Sequence, residues 1–266
     1  MNWGKMKTLF IYLFVALNAV LLTFYIYTVQ KNKTEIVQEK EIIERSMKND
    51  NITVEENATK RDNLGYVNVT ISDLKDIRKE DSGLKYEVEN VDKTSALKVS
   101  SENAITNVNK GSYRAELDSF LLEKMKLSAN YIFSSYNSSK NEVIFEQQID
   151  SFRVFSNKNA RIVFSVESNG DIKNFILTSV SNIRKDKNEA LVPSSQAINR
   201  LYHEDLIPKN CRVRTTLGYY TYISQTENQV LIPTWNVEIS DKDGQISNYY
   251  VDAINLNVLN RKGHNS

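Results

Sequence analysis

The chain has 266 residues, 41% of them apolar, and its 34 basic and 33 acidic side chains leave a net charge of +1. That length holds one or two domains with a real core, and so even a charge balance gives no electrostatic case for nucleic acid. One Cys, two His and 8 Gly, the closest two being Gly65 and Gly83, exclude an intramolecular disulfide, a zinc site of four Cys and His ligands, and a glycine-rich phosphate loop.

Residues 1–7 form a short polar start, and residues 8–29 carry no charge. At about 1.5 Å per residue the uncharged run reaches roughly 33 Å as a helix, which is about one bilayer core. Trp3 stands at one end and Phe24, Tyr25 and Tyr27 at the other, as interfacial aromatics do. A cleaved signal peptide is the competing reading. The run is longer than the usual signal-peptide core, and no Ala-x-Ala-like site precedes Gln30. Lysines flank both sides, so charge alone leaves the orientation open.

Asn18 is the only amide in this run. A polar amide at bilayer depth costs free energy unless it faces protein. Ile11, Asn18 and Tyr25 are spaced by seven and share a helix face, and Ala16 and Ala19 near Asn18 are small enough for close approach. These five residues are the candidate contact to a partner helix in the membrane. The ordinary alternative is a tolerated single amide.

Residues 30–63 read as a polar stalk and linker. Val29, Ile36 and Ile43 are seven apart, so the membrane helix is expected to continue outward, with residues 48–62 as the linker proper. From residue 64 on, strand patterns dominate. Val67, Val69 and Ile71 alternate, and 85–91 reads as another strand. Ser112 is placed as the cap of an amphipathic helix carrying Leu117, Phe120, Leu121 and Met125. Strands follow at 131–136, 142–149 and 152–155, then a hairpin of Ile162, Phe164 and Val166 with 172–177 around Asn169-Gly170.

The pattern then recurs. Ser194 is placed as the cap of a helix with Ala197, Ile198, Leu201 and Tyr202 on one face, stopped by Pro208. Strands at 212–223 and 230–237 lead to a hairpin of Trp235, Val237 and Ile239 with 246–253 around Asp243-Gly244. The outgoing strands of the two hairpins are offset by 73 residues and the returning strands by 74. The expected fold class is α+β: one transmembrane helix, then two repeated helix-plus-antiparallel-sheet units over 64–183 and 184–266.

Catalytic patterns are weak. Asp241-Lys242-Asp243-Gly244 lacks the rest of a calcium loop and reads as a turn. Ser-x-x-Lys occurs at Ser72/Lys75, Ser82/Lys85 and Ser95/Lys98, about as often as chance gives, with no Lys-Thr-Gly. His203 sits near a helix end and Cys211 in a strand-like run, neither with a partner arrangement that catalysis needs. No catalytic residue, cofactor or metal is assigned.

Several ordered segments resemble one family. Met1-Asn2-Trp3 with Lys7-Thr8-Leu9-Phe10-Ile11 and a single apolar helix is similar to the start of the YycI (WalI) proteins. Ala197-Ile198 with Leu201-Tyr202, then Leu217-Gly218-Tyr219-Tyr220, Trp235-Asn236-Val237 and Asn248-Tyr249-Tyr250-Val251 resemble its C-terminal half. The resemblance implies a Gram-positive accessory regulator of the WalK–WalR two-component system of cell-wall homeostasis, without known catalytic residues. It implies a cytoplasmic N-terminus, a single pass through the cytoplasmic membrane and an extracytoplasmic domain. Its partners would be the transmembrane helices of the sensor histidine kinase WalK and a YycH-like protein bound outside. The readings beside it are an extracytoplasmic ligand sensor, which needs a pocket of convergent polar groups, and a wall-glycan enzyme, which needs two acids converging in a cleft.

Overall fold

The computed structural model of the chain describes residues 3–55, 61–74, 83–91, 94–125, 131–221, 227–260 and 264–265. It divides into two compact units, Met1–Thr53 and Val54–Ser266.

The first unit is essentially one helix, α1, Trp3–Asn49, of 47 residues. The helix therefore runs past the apolar segment, as expected for a stalk. The side chains of Val29 and Ile36, two of the three residues spaced by seven, lie outside the described residues. Its only Gly is Gly4, and all three Pro lie beyond residue 190, so nothing in its interior breaks the hydrogen-bond ladder.

The second unit is α+β and rich in sheet. Its elements in chain order begin with β1 (Thr53–Val54), β2 (Asn63–Leu64), β3 (Val67–Ile71), β4 (Leu84–Val91), β5 (Thr94–Ser101), β6 (Thr106–Asn107) and α2 (Tyr113–Glu123). There follow β7 (Tyr131–Asn137), β8 (Glu142–Ile149), β9 (Phe152–Phe155), β10 (Arg161–Val166), β11 (Asp171–Leu177), β12 (Val180–Lys185) and β13 (Glu189–Ala190). The chain closes with α3 (Ser194–His203), β14 (Arg212–Tyr220), β15 (Asn228–Ser240), β16 (Ile246–Asp252) and β17 (His264–Asn265). Among the described residues one sheet runs in the order β12-β3-β15-β14-β9-β8-β10-β11-β5-β4, with β7 on β8, β16 on β15 and β6 on β11.

Both expected hairpins form. Phe164 faces Phe175 across β10 and β11, and Val237 faces Tyr249 across β15 and β16. Gly170 and Gly244 supply the positive φ that their turns need, at 88° and 80°. Asp241 Oδ1 accepts from the Asp243 and Gln245 N–H groups at 2.9 and 2.8 Å, so this acid closes its own turn. Asp150 and Ser151, both at positive φ (51° and 70°), make the two-residue link from β8 to β9.

One core lies between α2 and the β8-β10-β11-β5 part of the sheet. Leu117 and Leu121 of α2 are fully buried with Phe145, Phe164 and Phe175. Edge-on ring contacts tie them, Phe120 to Phe175 at 5.9 Å and Phe145 to Phe164 at 5.6 Å. Elsewhere α3 packs on β15 with Ala197, Ile198 and Leu201 buried. The Trp235 indole N–H donates to the Val192 carbonyl at 2.9 Å.

The helix ends differ from expectation. Ser112 holds the N-cap position of α2 without capping, because its hydroxyl donates to the Glu116 carboxylate at 2.6 Å. Ser194 is the first residue of α3, and extended Pro193 precedes it as the cap. That helix ends at His203, before Pro208, where Asp205 turns left-handed at φ 55°.

The halves of the sheet meet where β14 runs parallel to β9, with Gly218 paired to Arg153 and Tyr220 to Phe155. A Cβ on Gly218 would meet the Arg153 carbonyl oxygen and lie 2.5 Å from Phe155 Cε2. Gly218→Ala should therefore destabilise the protein by about 1–3 kcal/mol through overpacking, read as a lower urea midpoint in detergent, with Gly218→Val worse. An unchanged midpoint would show that this junction yields freely.

Candidate functional sites: an apolar helix and a polar cleft

Within α1, Met6–Thr28 is long and apolar enough to cross a membrane, with mean hydropathy 2.3. Three of its polar side chains bond back to their own helix. Asn18 Nδ2 donates to the Phe14 carbonyl at 2.8 Å, Thr28 to the Phe24 carbonyl at 2.9 Å, and Thr23 to the Ala19 carbonyl. The amide keeps a second N–H and its carbonyl oxygen to offer.

Helical geometry sorts the five candidate contact residues. At about 100° per residue, Ile11, Asn18 and Tyr25 fall within about 40° of one another. Ala19 lies about 100° round from Asn18 and Ala16 about 160° round. Ala16 and Ala19 thus belong, with Thr23, to a second face of small residues, because positions one and two apart do not face each other.

The weaker candidate motifs settle into structural roles. Cys211 is buried, and burial together with Asp241 raises its thiol pKa, the reverse of an activated nucleophile. His203 is exposed at the end of α3. Ser95 and Lys98 are three apart on β5, hence on opposite faces, and Lys98 pairs with Glu89 at 3.7 Å. Lys75 and Ser82 lie outside the described residues. Among the described residues no group of His, Cys, Asp and Glu could hold a metal ion.

A polar cleft is the site that sequence reasoning missed. Asn236 and Glu238 alternate along β15 and stand opposite Tyr250 and Asn248 on β16, making a polar patch of two by two. The other face of the same strands carries buried Trp235, Val237 and Ile239. The patch forms one wall of a hollow of about 210 Å³. The other wall holds Glu146 of β8, Arg153 of β9, Arg161 of β10 and Lys140 from the turn after β7. Glu146 and Arg161 are direct cross-strand partners.

Glu146 is fixed by its neighbours. Its Oε1 accepts from the Ser156 N–H at 2.6 Å, its Oε2 from the Ser134 hydroxyl at 3.0 Å, and Arg153 Nε stands 3.7 Å away. Arg153 also donates to the Phe133 carbonyl at 3.0 Å. Burial raises the Glu146 pKa from its ordinary value, against the pull of Arg153, Ser156, Ser134 and Arg161. Burial, with Glu146 nearby, also raises that of the Tyr250 phenol, whose ring stacks on Phe155 at 5.6 Å and Tyr220 at 4.6 Å. Glu238 pairs with Arg214 at 3.7 Å. Both acids of the cleft are thus engaged by neighbouring side chains, Glu146 by Ser134 and Arg153 and Glu238 by Arg214.

A wider hollow of about 730 Å³ adjoins this one. Ser134, Ser135 and Glu238 line both, and Tyr113, Phe133 and Tyr136 add aromatic rims. Arg114 lies over the Phe133 ring at 4.1 Å.

Because folding favours the protonated form of Glu146, its contribution to stability is fully present below the ordinary 4.5 and is lost as pH rises through the raised value. Melting temperatures of wild type and Glu146→Gln should diverge above pH 4.5, wild type losing stability relative to the variant. A gap that stays constant with pH contradicts this.

The family model for the YycI protein matches residues 30–254. Among curated proteins none matches. Among solved structures, the chain is similar to an uncharacterized protein from Eubacterium rectale at 8% identity and TM-score 0.46, covering 79% of this chain and 90% of that one. It is also similar to the YpeB C-terminal domain of Bacillus megaterium at 13% identity and TM-score 0.44, covering 86% and 96%. The family match, which spans most of the sequence and reaches from the stalk through the last long hairpin, makes this chain a member of the YycI family of regulatory accessory proteins of the WalK (YycG) system.

Proposed function

We propose that this protein modulates the sensor kinase WalK through contacts between α1 and the kinase's transmembrane helices, while its second unit binds a YycH-like partner outside the cell. The observation that carries the reading is the coincidence, in one YycI chain, of a membrane-length apolar helix with a large sheet-rich unit whose motifs supply no catalytic arrangement. The N-terminus would be cytoplasmic, with residues 1–7 inside, 8–29 in the membrane and 30–63 as the outer stalk. The second unit is read as two related halves, 64–183 and 184–266. Supporting that reading, the pairs Ile162 with Leu177 and Trp235 with Val251 keep the same 73- and 74-residue offsets that the sequence carries.

An anchor that only inserts would accept any apolar sequence, since lipid tails are as apolar as Leu. A recognising anchor needs polar or small contacts on a defined face. Two faces of α1 qualify: Ile11, Asn18 and Tyr25 on one, Ala16, Ala19 and Thr23 on the other. The amide of Asn18 has spent one N–H on Phe14, and its remaining groups gain most from a protein neighbour in lipid.

Asn18→Leu should retain abundance and insertion but weaken crosslinking to WalK roughly threefold, the loss of one interhelical hydrogen bond of about 0.6 kcal/mol. Asn18→Gln should be milder, and Leu13→Ile should be neutral. Ala16→Leu with Ala19→Leu tests the small-residue face separately. Output is read from a WalR-dependent wall-hydrolase reporter. If a poly-Leu helix replacing residues 9–29 signals normally, the anchor is a tether and the recognition reading fails.

A further inference from the structure

We propose that the polar hollow between the β15–β16 patch and the β8–β10 wall binds the carboxylate end of a short peptide, whose preceding residues run over the aromatic rim. This goes beyond the kinase reading and does not depend on it, since binding is measured on the purified protein alone.

Three observations define the ligand. The first is an orphan acceptor. Asn236 is only 9% exposed and lines the hollow, yet its Oδ1 is buried without a hydrogen-bond partner. An unpaired buried carbonyl costs about 1–3 kcal/mol, so its natural complement is a donor brought in from outside, such as a peptide N–H. The second is positive charge. Lys140, Arg153 and Arg161 line the hollow. Arg153 stands 3.7 Å from Glu146 and Arg161 acts on the same carboxyl from across the strand pair, while among the described residues neither Lys140 nor Arg161 makes a close ion pair. Three cations against two lining acids, Glu146 and Glu238, attract a further anion, and a carboxylate matches the fork of Arg161. The third is shape. The hollow of about 210 Å³ holds one or two small residues, and it opens into the 730 Å³ hollow past Ser134, Ser135 and Glu238.

The three observations order the ligand along the cleft. Its terminal carboxylate lies against Lys140 and Arg161, and a terminal N–H reaches Asn236 Oδ1. Glu238 stands at the junction of the hollows, where it accepts from upstream N–H groups and repels a second anion. Side chains further back cover Tyr113 and Phe133, already held edge-on at 6.4 Å. A neutral sugar would leave Lys140 and Arg161 without a close ion pair, and a bare anion would leave the Asn236 oxygen and the rim unused.

The test is calorimetric titration of the full-length protein in detergent with tri-L-alanine, tri-D-alanine, the tri-L-alanine C-terminal amide, and acetate. At least one free-acid tripeptide should bind, and amidation should weaken the L form about tenfold or more where that form binds. Whichever hand binds better separates a protein tail from a D-residue peptide as source, and either preference supports the site. Lys140→Ala, on an exposed turn, should lower affinity about tenfold with an unchanged melting temperature. Asn236→Leu should abolish binding while leaving the fold intact or more stable, since it removes an unsatisfied group. No tripeptide binding at millimolar concentration, equal binding of acid and amide, or acetate binding as tightly as the tripeptides would each overturn the proposal.

Discussion

The architecture depends on one close backbone approach, the parallel pairing of β14 with β9 at Gly218. Each long hairpin could by itself bury one face under a helix, α2 over one and α3 over the other. Joining them requires β14 to come against the Arg153 carbonyl and the Phe155 ring, where only a residue without a Cβ fits. The junction makes a continuous sheet, and it also sets the outer face of β15–β16 opposite the outer face of β8–β10. The polar cleft is a consequence of that closure. Neither hairpin alone would take Asn236 or Glu146 out of water.

Elsewhere the unit completes its buried polar bonds with care. Gln147 Nε2 donates to the Val180 carbonyl and its Oε1 accepts from the Val180 N–H, both at 2.9 Å, so one side chain extends the ladder to β12. Asn157 donates to Gln229 Oε1 at 2.8 Å, and the Tyr131 hydroxyl donates to the Thr178 carbonyl at 2.8 Å. Burial drives the Tyr131 phenol up to about 12, so it stays a donor at any physiological pH. Among the described residues the open acceptor on Asn236 stands out against this completeness, and it stands beside Lys140 and Arg161, neither of which makes a close ion pair. A stability defect would fall at random with respect to charge; this one falls beside its complement.

What the sequence made legible is what short-range pattern encodes. The uncharged run, the alternation at Ile162 and Trp235, and the Gly170 and Gly244 turns were enough for the long helix and both hairpins. Strand β5 was missed because only Leu97 and Val99 mark its buried face, and β12 because an exposed edge strand of sequence Val-Ser-Asn-Ile-Arg-Lys carries almost no apolar signal. Ser112 stands at the expected N-cap position but turns its hydroxyl to Glu116, and α3 begins one residue earlier than expected because Pro193 needs no side chain to begin a helix. The cleft was invisible for a different reason. Asn236 and Glu238 alternate with apolar residues as any solvent face does, and only the nonlocal β14–β9 pairing turns that face inward.

The two candidate sites make opposite use of a polar group in an apolar setting. In α1 an amide is affordable because the helix itself takes one N–H through Phe14, which leaves a modest incentive for a partner and no folding penalty for lacking one. In the cleft no donor among the described residues reaches Asn236 Oδ1, so that oxygen depends on what enters. The first arrangement suits a contact that forms and dissolves within a membrane complex. The second suits occupancy by a ligand. Since α1 has no Pro and no Gly after Gly4, nothing in its sequence breaks the hydrogen-bond ladder between Asn18 and Asn49, and the two faces it offers are fixed by helical period alone.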